Sequence, residues 1–282
     1  MFFKEKPLCV YIEKRPVDIV VLSDLHLGTV GCHATELTQY LNSIEPRTLI
    51  LNGDIFDMWN FKKYYWPKSH MRVVKCFLSM LANGTDIYYL TGNHDEVIRK
   101  ISNLQIGPLF VKDKLLLELN GEKVWIFHGD ILDITMKHTK WIAKIGGHGY
   151  DMLILLNRLI NYMSKTLGYG KMSLSKKIKD NVKKAVKFID NFEVAAMELA
   201  IQHEYDYVIC GHIHQPKIRG YQNEEGTVIY MNSGDWIENL TALEYHRNEW
   251  SVYKYYDDQF IKRDTPIKLP IRQSMKITPI VG

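Results

Sequence analysis

The chain has 282 residues, 46% of them hydrophobic, which suffices for one large domain or for a domain that carries an insertion. The four cysteines (Cys9, Cys32, Cys76 and Cys210) form no CxxC pair, so the sequence argues against a disulfide framework or a zinc ribbon and favours a reducing compartment. The formal net charge is +4, and we find neither the apolar run of a signal peptide nor a stretch of about 20 apolar residues that would span a membrane.

The first 130 residues alternate strand and helix patterns. A β-branched apolar run predicts a strand at 17–22, and further strand patterns lie at 48–51 and 86–90; helical spacing predicts helices at 35–44 and 71–81 between them. This β-α-β-α-β order predicts a sheet built from crossover units. In such sheets ligands gather beyond the carboxyl ends of the strands.

A β-hairpin follows these units. Residues 115–119 and 123–127 have strand patterns, and Asn120-Gly121 between them suits a two-residue type I′ turn. Later strands are predicted at 207–210, 217–220, 228–231, 240–245 and 250–256. The tail from Arg263 shows no clear periodicity, and we expect it to lie extended on the surface.

Between these two strand-rich parts the chain shows helix patterns alone, at 131–145, 150–167, 174–189 and 192–203. We therefore predict a core of residues 1–133 and 204–262, a helical insertion of residues 134–203 that acts as a lid, and an extended tail of residues 263–282.

The predicted insertion differs in charge from the rest of the chain. Residues 134–200 contain twelve Lys/Arg against five Asp/Glu, a local balance of +7 in a chain whose net charge is +4. One interpretation is a solvated helical face, which is the usual role of such a run. The other is a cover that attracts an anionic substrate or an anionic membrane surface.

Five short blocks combine carboxylate, amide or imidazole side chains with tight turns. They are Asp24-Leu25-His26, Gly53-Asp54-Ile55-Phe56-Asp57, Gly92-Asn93-His94-Asp95, His128-Gly129-Asp130 and Gly211-His212-Ile213-His214. Two divalent ions that share a phosphate need many ligands close together, and oxygen plus imidazole donors without thiolate suit manganese, iron or zinc rather than calcium. The predicted ligands are Asp24, His26, Asp54, Asn93, His128, His212 and His214.

These blocks, in this order, resemble those of the calcineurin-like metallophosphoesterases. The resemblance implies an α/β fold, a four-layer αββα sandwich, and hydrolysis of a phosphate ester or anhydride by an activated water. It also implies the division of the ligands. One ion takes Asp24, His26 and His214, the other takes Asn93, His128 and His212, and Asp54 bridges the two.

The third block also supplies the predicted catalytic residues. The resemblance implies that His94 lies beside the scissile phosphate and donates a hydrogen bond or a proton to it, with Asn93 as a second contact to substrate. We expect the adjacent Asp95 to orient the imidazole of His94, as carboxylates commonly do for histidine. For Asp57 two roles stay open, orientation of a ligand or a structural cap.

A narrower resemblance concerns the substrate. The segments that carry it are Ser23-Asp24-Leu25-His26-Leu27, Asn52-Gly53-Asp54-Ile55-Phe56-Asp57-Met58-Trp59, His128-Gly129-Asp130, Asn232-Ser233-Gly234-Asp235-Trp236 and Thr241-Ala242-Leu243. They resemble the UDP-2,3-diacylglucosamine diphosphatases of lipid A synthesis. Those enzymes use manganese at the inner face of the cytoplasmic membrane and release UMP and a lipid monosaccharide 1-phosphate. Their best-known branch carries arginine where this chain has His94.

The insertion is expected to select the substrate. Its apolar residues either pack it onto the core or contact acyl chains, and Lys183 and Lys187, one helical turn apart, are predicted to bind substrate. The basic charge and the amphipathic residues 150–167 predict peripheral contact with an anionic membrane. Two other functions stay open, a phosphoesterase for another phosphomonoester or phosphodiester and a non-catalytic module that retains metal. We find no recognition helix or stacking platform and expect no nucleic acid partner.

Overall fold

The computed structural model describes residues 14–59, 65–132, 176–258 and 278–279. Within these ranges, residues 176–186, 257–258 and 278–279 are described by their backbone alone. The predicted helix at 150–167, most of the one at 131–145 and most of the tail lie outside these ranges. None of the helices in the described part is long and apolar enough to cross a membrane.

The described chain forms two β-sheets. The strands are β1 (Arg15–Leu22), β2 (Ile44–Asn52), β3 (Asp86–Leu90), β4 (Gln105–Ile106), β5 (Leu109–Lys112), β6 (Lys114–Leu119), β7 (Glu122–Phe127), β8 (Tyr207–Cys210), β9 (Lys217–Gln222), β10 (Thr227–Asn232), β11 (Thr241–His246), β12 (Glu249–Lys254) and β13 (Thr278–Pro279). The first sheet has the order β12-β11-β1-β2-β3-β5-β4, and the second has the order β13-β6-β7-β8-β10-β9. Strands β1, β2 and β3 are parallel in the first sheet, and β7, β8 and β10 are parallel in the second.

Helices cover the outer faces of both sheets. They are α1 (Ala34–Ser43), α2 (Lys68–Ala82), a 3₁₀ helix (Glu96–Ile101), α3 (Lys176–Gln202) and the short α4 (Tyr255–Asp258). Successive strand residues point to opposite faces, so Val20 and Leu22 of β1 pack with α1 and α2, whereas Ile19 and Val21 pack between the sheets. A third cluster joins α3 to the outer face of the second sheet. The expected four-layer αββα sandwich is therefore confirmed.

Most predicted elements in the described ranges are confirmed, with some differences. Strands β4, β5 and β13 and the 3₁₀ helix were not predicted. The strand predicted at 250–256 ends at Lys254, where the chain enters α4. The helices predicted at 174–189 and 192–203 form the single helix α3. Its last turns, from Phe192 to Ala200, are buried against the second sheet and form a layer of the sandwich. The proposed division of the chain at residues 133 and 203 stays a prediction.

An ion-pair group fixes α3 to the second sheet. The carboxylate of Glu193 is buried and accepts hydrogen bonds from Lys217 Nζ at 2.6 Å and from Arg219 Nη1 at 2.9 Å, both on β9. We expect Glu193→Gln to lower the free energy of unfolding by about 1–2 kcal/mol, because the two cations are partly exposed and regain water when the charge is lost.

Urea unfolding of the metal-free protein measures this difference. The matched control is Glu198→Gln, an exposed residue of the same helix that should change stability by less than about 0.5 kcal/mol. Equal losses in the two variants would show that the Glu193 ion pairs contribute nothing.

Candidate metal centre

The five blocks meet at one end of the two sheets because each follows the carboxyl end of a parallel strand. In the first sheet the amide of Asp24 donates to the carbonyl of Gly53 at 3.1 Å, and in the second Gly211 donates to His128 at 2.9 Å. A hydrogen bond also joins the loops of one sheet to those of the other: Asn52 Nδ2, at the end of β2, donates to the carbonyl of Phe127, at the end of β7, at 3.1 Å. The site is therefore assembled from the ends of β1, β2, β3, β7 and β8.

One group of donor atoms surrounds the carboxylate of Asp24. Its Oδ1 lies 3.1 Å from His214 Nε2 and 4.0 Å from His26 Nε2. These three residues offer one ligand atom each within 4.8 Å of one another, a spacing that fits a single metal ion. They are the three residues that the resemblance to the calcineurin-like metallophosphoesterases assigns to the first ion.

A second group surrounds the carboxylate of Asp54. Its Oδ2 lies 3.3 Å from His128 Nε2, 3.8 Å from His26 Nε2 and 4.0 Å from His94 Nε2, and its Oδ1 accepts the backbone N–H of His94 at 2.8 Å. Ligand atoms of Asp24, Asp54 and His128 also lie within 4.8 Å of one another, so the two groups are continuous. Together, the residues Asp24, His26, Asp54, His94, His128 and His214 are called the donor cluster below.

The two remaining predicted ligands lie on the same loops. The ring of His212 packs edge-on against the ring of His128 with centroids 5.3 Å apart, and the His212 amide donates to Asp24 Oδ2 at 3.0 Å. Asn93 lies between Gly92 and His94, with its Oδ1 buried. The structure thus brings all seven predicted ligands to one end of the sandwich, and their assignment to particular ions stays a prediction.

The predicted ligands fit bound metal ions because several of their buried polar atoms are left unsatisfied. Among the buried side-chain atoms that make no hydrogen bond of good geometry in the described part of the chain, four belong to predicted ligands: Asp24 Oδ1, His26 Nε2, Asn93 Oδ1 and His128 Nε2. Buried polar atoms are nearly always paired, so each unpaired one calls for a partner. All four belong to types that bind divalent ions.

The backbone of the ligand loops is strained in a way that the sequence did not indicate. Asp24, His26, Asp54, His212 and His214 all have left-handed conformations, with φ between 48° and 67°. Such conformations are costly for residues other than glycine and concentrate at functional sites. Five of the seven predicted ligands are therefore held in place by the surrounding structure against their local preference.

Gly92 allows the second and third blocks to approach closely. A Cβ atom at this position would overlap the carboxylate of Asp54 and would lie 2.6 Å from the Asp54 backbone nitrogen. A side chain at residue 92 would therefore displace the carboxylate that faces three imidazoles.

The carboxylates of the donor cluster carry negative charge. Burial alone would raise the pKa of Asp24, but His214 and His128 outweigh it and lower the pKa to about 2. Burial would likewise raise the pKa of Asp54, yet the neighbouring histidines hold it well below its ordinary value. The carboxylates in turn raise the pKa of His214 to about 9, against the effect of burial. Ionised carboxylates beside imidazoles supply the charge that a divalent cation needs.

Asp57, and not Asp95, orients the imidazole of His94. Asp57 Oδ1 lies 3.0 Å from His94 Nδ1, and its Oδ2 lies 3.2 Å from His26 Nδ1. The expectation for Asp95 was wrong. Its carboxylate turns away from His94 and accepts hydrogen bonds from the amides of Gly92 and Ile55 and from the Tyr89 hydroxyl. Asp95 therefore fixes the shape of the third block, and of the two roles open for Asp57 the structure favours orientation.

No sequence pattern indicated a role for Arg99. This residue of the 3₁₀ helix donates to Thr91 Oγ1 at 3.1 Å and to Asp130 Oδ2 at 2.9 Å. It thereby links the loop of Asn93 to the loop of His128. An arginine near a block of acids is too common in sequences to have revealed the link.

The predicted substrate lysines lie on α3. The backbone of Lys183 is helical, and its side chain lies outside the described residues; Lys187 is exposed. Their role in binding substrate stays a prediction.

Residues 17–216 match the family model described as calcineurin-like phosphoesterase, a range that contains all five blocks. The chain belongs to this family. Calcineurin-like phosphoesterases are metal-dependent hydrolases, and the donor cluster supplies the residues for divalent ions in this member. The chain is therefore a metallophosphoesterase.

The chain is also similar to proteins named UDP-2,3-diacylglucosamine hydrolase. One from Aliivibrio fischeri is 25% identical over 241 residues, which cover 84% of this chain and 98% of that protein. One from Vibrio cholerae is 27% identical over 237 residues, covering 80% of this chain and 93% of that protein. Similar solved structures include an archaeal phosphodiesterase (TM-score 0.40, 16% identity, 84% of this chain and 98% of that one) and the E. coli phosphoesterase Yfce (TM-score 0.41, 14% identity, 85% and 93%).

Proposed function

We propose that this metallophosphoesterase hydrolyses the pyrophosphate bond of UDP-2,3-diacylglucosamine and releases UMP and a lipid monosaccharide 1-phosphate. The donor cluster, together with the four unsatisfied buried atoms of predicted ligands, is the observation that carries the reaction class. The similarity to hydrolases named for this substrate, over almost their whole length, supports the choice of substrate.

In this proposal Asp24, His26 and His214 would hold one ion, Asn93, His128 and His212 would hold the other, and Asp54 would be shared by both. When bound, such ions supply Lewis acidity toward a phosphorus centre and make water acidic enough to react near neutral pH. Manganese is the proposed metal, with iron or zinc as the alternatives that the donor types also suit.

His94 is the proposed contact to the phosphate. Its side chain is 16% exposed, whereas that of Asp54 is 3% exposed, so His94 lies nearer the solvent from which substrate arrives. Because Asp57 faces Nδ1, the Nε2 atom is left to donate a hydrogen bond or a proton to a phosphate oxygen. The exposed ring of Trp59 packs beside His94, with the two ring centroids 4.5 Å apart.

The remaining parts of the proposal concern the surroundings of the site. Lys183 and Lys187 would attract the diphosphate, and the basic insertion would bring the enzyme to an anionic membrane that holds the amphiphilic substrate. Such an enzyme would work in the cytoplasm at the inner face of the membrane.

The test is hydrolysis of UDP-2,3-diacylglucosamine by the purified chain loaded with Mn²⁺. We expect equimolar UMP and lipid monosaccharide 1-phosphate, separated by chromatography and identified by mass. The same assay without metal and the same assay with unacylated UDP-glucosamine are the controls. A protein that binds metal and hydrolyses an aryl phosphodiester, yet releases no UMP from the lipid substrate, would contradict the proposed substrate.

One residue favours a second candidate, a phosphoesterase for another phosphomonoester or phosphodiester. His94 stands where the best-known diacylglucosamine diphosphatases have arginine, and an imidazole makes fewer contacts to a diphosphate than a guanidinium does. Under this candidate, simple phosphodiesters would be hydrolysed with a higher kcat/KM than the UDP-linked lipid.

A further inference from the structure

The segment of residues 232–239 begins at the last residue of β10. It contributes no predicted ligand, but it forms hydrogen bonds with two of the ligand loops. Its residues Asn232, Ser233 and Asp235 are fully buried. The segment connects two neighbouring sheets, since β10 belongs to the second and the next strand, β11, belongs to the first. It is called the bracket segment below.

The bracket segment holds the loop of Asp24. The amide of Trp236 donates to the Asp24 carbonyl at 3.2 Å. One residue earlier, the hydroxyl of Ser23 donates to the Gly234 carbonyl at 2.9 Å and lies 2.7 Å from the hydroxyl of Ser233. The backbone on both sides of this predicted ligand is therefore fixed by the same segment.

The bracket segment also holds the loop of His212 and His214. Asn232 Nδ2 donates to the Gly211 carbonyl at 2.7 Å, and Asn239 Nδ2 donates to the His214 carbonyl at 2.9 Å. The same Asn239 amide donates to Asp235 Oδ2 at 2.6 Å, so the bond to His214 depends on where Asp235 holds Asn239.

The carboxylate of Asp235 joins these contacts to the imidazole of His214. Its Oδ1 accepts the backbone N–H groups of Ile237 at 2.7 Å and Glu238 at 2.5 Å, which fixes the carboxylate, and its Oδ2 lies 4.0 Å from His214 Nδ1. The other ring nitrogen of His214 lies 3.1 Å from Asp24 Oδ1. A fixed negative charge on the Nδ1 side keeps the Nε2 atom facing Asp24.

We propose that Asp235 and Asn239 are positioning residues that hold His214, in its strained left-handed conformation, in the geometry needed to bind one of the two ions. The inference rests on the proposed role of His214 as a ligand. A side chain that orients a ligand is expected to change metal affinity by about tenfold to a hundredfold. The effect should be confined to the ion shared by Asp24, His26 and His214. Among the described residues, the hydrogen bonds and ion pairs of Asp235 and Asn239 reach His214, and none of them reaches Asp54 or His128.

The experiment titrates the metal-free protein with Mn²⁺ in a calorimeter and needs no substrate. For Asp235→Asn we expect one of two sites to weaken by about tenfold to a hundredfold and the other to keep its affinity. An asparagine can still accept the Ile237 and Glu238 amides through its Oδ1, but its NH₂ group then faces Asn239 and His214. Glu238→Gln, an exposed neighbour, is the matched control and should bind both ions as the wild type does.

Asn239→Ala provides a second test should Asp235→Asn fail to fold, because Asn239 is only partly buried and its loss removes the bond to the His214 carbonyl. Equal weakening of both sites, or wild-type affinity at both, in the folded variants would overturn the inference. A wild-type chain that takes up no Mn²⁺ would overturn it as well. Failure of the proposed substrate would look different, with normal two-site Mn²⁺ binding and no release of UMP.

Discussion

Replacement of Asp54 by asparagine should lower kcat by at least about a thousandfold, with the protein still folded. The neutral amide has nearly the same shape, so its Oδ1 can still accept the His94 amide that Asp54 Oδ1 accepts at 2.8 Å. What is lost is the negative charge at Oδ2, which lies within 4.0 Å of ring nitrogens of His26, His94 and His128. Because this oxygen faces both groups of donors, the affinity for both ions should fall.

The measurement combines UMP release, Mn²⁺ uptake by the metal-free protein and a thermal melt. Asp86→Asn is the control, since Asp86 is an exposed carboxylate at the opposite end of β3 from the site and should leave kcat unchanged. If Asp54→Asn keeps more than about a tenth of the wild-type kcat, the carboxylate cannot be the shared ligand of a two-ion site.

Most of the fold could be predicted because helices, strands and tight turns depend mainly on residues that are near one another in the chain. The Asn120-Gly121 turn is an example, since both residues have the positive φ (57° and 88°) that a type I′ turn requires. Strands β4 and β5 were missed for the opposite reason. They contain two and four residues, too few to show a period, and β5 forms a strand through its pairing with the distant β3.

The ligands of the site could be predicted for two reasons. Their residue types are those that bind metal ions, and the order of the predicted strands places them at one end of the sheets. Their supporting partners could not. Asn239 is 25 residues beyond the histidine whose carbonyl it binds, and nothing in the sequence links Arg99 to Asp130. Such contacts are made by the fold, after the strands have brought the loops together.

The wrong expectation for Asp95 has a specific physical cause. Adjacent residues in a tight loop point their side chains in different directions, so Asp95 reaches back to the Gly92 amide at 2.6 Å while His94 points into the donor cluster. Asp57 lies 37 residues away in the chain and is nevertheless the carboxylate that faces the His94 ring at 3.0 Å.

Replacement of Asp57 by asparagine tests this assignment and should lower kcat by about tenfold to a hundredfold. The two oxygens of the carboxylate face Nδ1 of His94 at 3.0 Å and Nδ1 of His26 at 3.2 Å. An amide has one oxygen, so it can accept from one ring only and must present its NH₂ group to the other. One of the two imidazoles therefore loses its orientation, whichever way the amide lies.

The role of Asp57 through His94 can be separated from its role through His26 by a double-mutant cycle. In a His94→Ala background, Asp57→Asn should cost clearly less in kcat than it does alone, because one of its two partners is already gone. If His94 assists departure of the leaving group, the loss of kcat caused by Asp57→Asn should also be larger for aryl phosphodiesters whose leaving group is more basic.

Asp95→Asn is the comparison that distinguishes the two carboxylates. Asp95 accepts three hydrogen bonds from Gly92, Ile55 and Tyr89, so its amide variant should lower the melting temperature, whereas Asp57→Asn should change kcat with a smaller effect on melting. The reverse pattern, with a kcat effect that depends on the leaving group in Asp95→Asn and none in Asp57→Asn, would return the orienting role to Asp95. The expected pattern would instead show that Asp57, at the end of the second block, orients the imidazole of His94 in the third block.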